Sequence, residues 1–154
     1  MEWTHVTVLH SAPLGEVTAD QVEEVTTRVR KACATVAPFE LTVGRPSVGT
    51  VAIECPAWPG PLARPLWQIT AQASRDVWQD AYPTLPAKYY PHLSVAYAGE
   101  NASEADRTDL KVALSDCGDV GTVTFTVDKL WLVAQRHDGR HITWRVLDQV
   151  LLGR

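Results

Sequence analysis

His5-Val6-Thr7-Val8 and His92-Leu93-Ser94-Val95 carry one pattern twice: histidine, apolar, hydroxyl, apolar. In an extended strand successive side chains project to opposite faces, so the histidine and hydroxyl of each stretch share one face and the two apolar residues share the other. Each stretch therefore reads as a half-buried strand with an imidazole and a hydroxyl on its wet side. Two such faces suit attack on a phosphate ester: one ring takes a proton, the other gives one, and the hydroxyls hold oxygens.

Working outward, residues 4–10 read as a strand, followed by the turn-prone Ser11-Ala12-Pro13-Leu14-Gly15. Thr18-Ala19-Asp20-Gln21 has the spacing of a capping box, and Val22, Val25, Val29, Ala32, Cys33 and Val36 recur at helical intervals, which predicts a helix over 18–36. Pro38 halts it. Phe39-Glu40-Leu41-Thr42-Val43 and Thr50-Val51-Ala52-Ile53-Glu54 then alternate as two strands across a turn containing Gly and Pro. The second half repeats this order. After a Pro/Gly-rich connector at 55–65 and a helix at 65–82, a strand is predicted at 92–98 and a helix at 103–116 with Gly118 capping its far end. Strands at 121–135 and 141–151 follow, joined by Asp138-Gly139, a pair suited to a tight hairpin turn. Phe39 lies 34 positions after His5 and Phe125 lies 33 after His92, each opening an alternating stretch. Matching order and spacing predict a duplicated chain. The fold class expected is α+β: one bilobal domain over 1–154, with two antiparallel sheets facing a central groove and helices on the outer faces. Val6, Val8, Leu93 and Val95 would point at the helices, and His5, Thr7, His92 and Ser94 into the groove.

Composition narrows the function classes. The chain has 154 residues, 45% hydrophobic, enough for one well-buried domain. No apolar run approaches the roughly 18 residues of a membrane span, and the first residues do not resemble a leader, so a cytoplasmic protein is expected. A net charge of −4 argues against a broad footprint on long nucleic acid and favours a small phosphate ligand or an RNA terminus. Arg136, His137, Arg140 and Arg145 form a local basic cluster, read first as a solvated hairpin and second as a positive rim. The three cysteines, Cys33, Cys55 and Cys117, are widely spaced and expected to be reduced. No histidine spacing resembles a metal motif, and no cofactor is called for.

The paired stretches, the strand opening at Pro38-Phe39, the run Tyr90-Pro91-His92-Leu93-Ser94-Val95 and the closing Trp144-Arg145-Val146-Leu147 together resemble the two-histidine (2H) phosphoesterase superfamily, in its 2'-5' RNA ligase and cyclic phosphodiesterase branch. The resemblance covers nearly the whole chain. It implies that His5 and His92 are the acid/base pair and that Thr7 and Ser94 bind phosphate. It also implies metal-independent opening of a 2',3'-cyclic phosphate of a nucleotide or RNA end, and in some members the reverse ligation of 2'-5' bonds. Many relatives place a strand ahead of the first histidine, whereas four residues precede it here, which leaves the edge of the first sheet and the oligomeric state open.

Physical chemistry accommodates these roles, since imidazoles titrating near pH 6.5 can share one proton at neutral pH. Tyr90 has the parity to stack on a base at the groove's edge, while Tyr97 and Trp131 serve equally well as packing. His10 has the opposite parity to His5 and reads as a strand-end residue. His141-Ile142-Thr143-Trp144 also fits the four-residue pattern, but its counterpart near Thr50 to Ile53 contains no histidine. The rival of a different class is a module that binds nucleotides or RNA ends in the same groove without turnover. Catalysis leads because both imidazoles and both hydroxyls are present.

Overall fold

Thr18 starts the first long helix as its spacing to Gln21 predicts. In the computed structural model, which describes residues 4–79, 81–99, 106–137 and 141–154, the Thr18 hydroxyl accepts from the Gln21 N–H at 3.2 Å and the Gln21 side chain accepts from the Thr18 N–H at 2.9 Å. This capping box satisfies two of the donors that a helix start leaves unpaired. α1 runs Ala19–Cys33 and stops short of the predicted residue 36. There the N–H groups of Thr35 and Val36 turn back onto the carbonyls of Ala32 and Cys33. α2 runs Gly60–Trp78, beginning inside the predicted connector because Pro61 occupies its first turn, where a missing N–H has no partner to lose. α3, Arg107–Asp116, is capped by Asp106, and Gly118 follows it at φ 72° as expected of a helix end.

The strands are β1 (Phe39–Val43), β2 (Ser47–Val48), β3 (Ala52–Trp58), β4 (His92–Tyr97), β5 (Val123–Val127), β6 (Lys129–His137) and β7 (Ile142–Leu151). β3 extends through the first residues of the predicted connector. The single strand predicted at 121–135 is two strands, divided at Asp128 and belonging to different sheets. β1 and β2 line one edge of β3, β4 lines the other, and β5 pairs with β1 to complete a five-stranded antiparallel sheet. β6 and β7 pair as a second, two-stranded antiparallel sheet. The Asp138-Gly139 turn predicted between them lies outside the described residues. Residues 4–10 do not form the predicted ladder: among the described residues, the segment is bridged at Val6 to Leu93 and at His10 to Leu85.

The two halves do not keep to separate sheets: the five-stranded sheet takes β1, β2 and β3 from the first half and β4 and β5 from the second. The mixing follows from the duplication. The offset from His5 to His92 carries Val6 onto Leu93, and Val6 is bridged to Leu93. The offset from Phe39 to Phe125 carries Glu40 onto Thr126, and Glu40 is paired with Thr126. Equivalent residues of the two halves are therefore opposed, as a two-fold axis between them requires.

Directly opposed residues share a face, so pairing sorts the sheet into two surfaces. Phe39, Leu41 and Val43 lie with Val127, Phe125 and Val123 on the apolar face; Glu40 and Thr42 lie with Thr126 and Thr124 on the polar one. The core joins the apolar side to the helices: Val25, Val29 and Cys33 of α1, Leu66 and Ala73 of α2, and Val150 and Leu152 pack together, flanked by Val8, Phe39, Val127 and Leu130. The expectation for Val8 is thus met. Val95 departs from its expected inward position and is 57% exposed. Between Ile53 and Glu54 the β3–β4 register shifts so that Glu54 faces Ser94 and Ile53 faces Ala96, leaving Val95 as the extra residue of a bulge.

Candidate active site

The Val6–Leu93 bridge is antiparallel, and extending its register by one residue places His5 opposite Ser94 and Thr7 opposite His92. Because Val6 and Leu93 share the helix-facing side, both imidazoles and both hydroxyls fall on the other. All four residues are partly buried. The two stretches thus meet at Val6 and Leu93 rather than standing on two separate sheets.

On β4, pairing of His92 with Pro56 and of Ser94 with Glu54 puts Glu54 on the same face as the motif. Its carboxylate does two things. Oε2 accepts from the Tyr90 hydroxyl at 2.9 Å, and Oε1 lies 3.9 Å from His92 Nε2, with side-chain exposures of 16% for Glu54 and 23% for His92. The Tyr90 ring lies against the His92 ring at 4.7 Å between centroids, and His92 Nδ1 is 3.1 Å from the Tyr90 carbonyl oxygen. Nδ1–H donating to that carbonyl leaves Nε2 as the nitrogen that exchanges a proton. The hydrogen bond to Glu54 pushes the Tyr90 phenol above its ordinary range, aided by burial and by the carboxylate charge, so it remains a donor. Tyr90 is still 53% exposed, with surface open to the groove.

His5 meets the second sheet through Trp144 of β7, whose ring it touches edge-on at 4.4 Å and 75°. This contact also settles how the third pattern match is oriented. Thr143 alternates with Trp144 and falls on the opposite face of the hairpin, away from His5. Arg145 and, through its pairing with Thr143, Arg136 share that far face, so these arginines do not rim the histidines; Arg140 lies outside the described residues.

His10 is an exposed residue at the end of its segment, as its reading as a strand-end residue expects. Its N–H donates to the Leu85 carbonyl at 2.7 Å. Its imidazole is held below the ordinary value by burial first, and then by the charges of His5 and His92. Glu54 was visible only as the last residue of a predicted strand, and nothing local announced its contact with a residue 38 positions away.

An open hollow of about 510 Å³ lies on the other side of the β6–β7 hairpin, lined by Val17, Thr26, Arg30, Arg145 and Leu147 among others, and no motif residue reaches it. Among the described residues no group of three or more His, Cys, Asp or Glu is placed to hold a metal ion. No helix among them is long and apolar enough to cross a membrane. Cys33 and Cys55 are buried and Cys117 is exposed, all with free thiols; burial pushes Cys33 up to about 11.

The fold has solved counterparts. TT0787 of Thermus thermophilus matches at a TM-score of 0.69 and 17% identity, over 97% of this chain and 78% of that one. A structure described as a phosphoesterase matches at 0.68 and 15%, over 99% and 78%. LigT of E. coli, complexed with NADP+, matches at 0.63 and 17%, over 99% and 78%. No curated protein matches in sequence. The model of the 2'-5' RNA ligase superfamily matches residues 2–139, which takes in both His-apolar-hydroxyl stretches, and the chain belongs to that superfamily.

Proposed function

We propose that this protein opens 2',3'-cyclic phosphates of nucleotides or RNA ends by acid–base catalysis between His5 and His92. The observation that carries this reading is the antiparallel bridge between Val6 and Leu93, which supports a shared face for the two imidazoles and the two hydroxyls. In the forward direction a neutral imidazole takes a proton from water, the water oxygen bonds to phosphorus, the bond from phosphorus to one ribose oxygen breaks, and the second imidazolium protonates that oxygen. The product is a phosphomonoester with a free hydroxyl, and each ring supplies about 10²- to 10⁴-fold. Thr7 and Ser94 donate to the phosphoryl oxygens as charge builds there. Tyr90 lines the substrate side of His92.

Glu54 Oε1 lies 3.9 Å from His92 Nε2, close enough for its charge to act on the proton that this nitrogen carries in the reaction. The related fold of LigT has been solved with 3'-AMP and with ATP, which supports a nucleotide ligand here.

Incubation with nucleoside 2',3'-cyclic phosphates, with and without EDTA, tests the proposal. Turnover should persist in EDTA and fall by about 10²-fold or more in His5→Ala and in His92→Ala. Loss in EDTA rejects the metal-free route, and unchanged rate in either variant removes that residue from the pair. Binding without turnover in the wild type favours the non-catalytic module.

A further inference from the structure

Trp58 is a large aromatic residue on the polar face of the five-stranded sheet, 46% exposed, in a place packing alone does not explain. Pairing puts it there. Trp58 is opposite Thr42, whose hydroxyl lies 2.8 Å from that of Thr124 on the same face, and two residues back along β3 Pro56 is opposite His92. The indole leans across the sheet onto Gly44: a Cβ at that position would sit 2.6 Å from Cζ3 and 3.0 Å from Cη2. The Gly44 N–H donates to the Pro56 carbonyl at 2.8 Å, so the backbone beneath the ring is fixed. Any residue but glycine would push the indole off its seat.

The distance from this seat to the histidines is set by the sheet. Gly44, Pro56 and His92 lie side by side on three adjacent strands, and two strand spacings amount to about 10 Å. That is close to the reach of one nucleoside from its phosphate to its base. Tyr90 has one ring face against His92 and its hydroxyl on Glu54, and Trp144 is in edge-on contact with His5. Trp58 offers the free π-surface.

We propose that the indole of Trp58, seated on Gly44, is the platform on which the base of the substrate stacks while its phosphate lies at His5 and His92. This rests on the phosphate site proposed above. Stacking uses the π-face that every base has, so the platform favours base-bearing ligands over bare sugar phosphates and purines over pyrimidines, without reading hydrogen bonds.

Equilibrium binding of adenosine 3'-monophosphate and of ribose 3-phosphate, which lacks the base, tests it on the wild type, Trp58→Ala, Trp58→Leu and Gly44→Ala. Wild type should bind the nucleotide roughly ten- to a hundredfold more tightly than the sugar phosphate. Trp58→Ala and Trp58→Leu should erase that difference while leaving sugar-phosphate binding unchanged. Gly44→Ala should do the same with the indole still present. A wild type indifferent to the base, or a folded Trp58→Leu that keeps the preference, overturns the platform. Turnover of adenosine 2',3'-cyclic phosphate is read in parallel: base-dependent binding through Trp58 without turnover sustains the platform and rejects the hydrolytic reading. Equal turnover with and without the base does the reverse.

Discussion

Glu54 accepts from the Tyr90 hydroxyl through one oxygen and lies beside the His92 ring with the other, so its charge and its hydrogen bond can be removed separately. Glu54→Gln keeps an acceptor for the Tyr90 hydroxyl and deletes the charge beside Nε2; kcat for cyclic-phosphate opening should fall about tenfold with KM little changed. Tyr90→Phe deletes the donor and leaves the ring against His92, and a smaller loss in kcat is expected. If Glu54→Gln leaves kcat intact, the carboxylate does not act on the His92 proton. His10 makes a prediction of a different kind. Its folded-state value is depressed, so as pH falls below about 6.5 the unfolded chain takes up a proton that the folded chain accepts only at lower pH. Stability is therefore unaffected by His10 above that range and declines below it. Urea midpoints at pH 7.5 and pH 5 should draw together in His10→Asn relative to wild type; an unchanged gap would reject the assignment.

Among the helices, α1 and α3 differ in how much they bury. α1 buries Val25, Thr26, Val29 and Cys33 and is closed at its start by the Thr18–Gln21 box. Thr18→Ala removes one half of that box and should cost about 1 kcal/mol by urea denaturation; no change would mean that the exposed start of the helix is held by other contacts. α3 buries no residue and depends on its Asp106 cap and local hydrogen bonds. Its amides should exchange with solvent well before those of α1 and α2, since little apolar contact opposes local opening. Equal protection of α3 and α1 in hydrogen exchange would contradict this ranking.

Across the whole molecule, one apolar core serves both halves. Leu66, 2% exposed, touches it from α2, while Val150 and Leu152 enter from the far end of the chain. Leu66→Ala should destabilise by about 2–5 kcal/mol. Because the five-stranded sheet contains strands from both halves, the loss should appear as one transition in which the halves unfold together. Two separated transitions would show that the halves are independent.

The α+β class, the repeated strand-helix-strand-strand order and the inward position of Val8 were legible in the sequence, because periodicity of two or of 3.6 is a property of neighbours along the chain. So was the helix start at Thr18, where both halves of the capping box lie within four residues. Other features depended on contacts that no local pattern encodes. The division of 121–135 into β5 and β6 turns on which sheet each strand joins, and the bulge that exposes Val95 turns on a register shift against β3. The neighbours of the candidate site, Glu54 beside His92, Trp144 against His5 and Trp58 over Gly44, meet across strands rather than along one. The sequence by itself determined which residues hold an imidazole and a hydroxyl on one strand face. Only the tertiary structure decided that the two faces are one, because strand pairing between the halves, with Val6 opposite Leu93 and Glu40 opposite Thr126, fixes a distance that spacing along the chain leaves free.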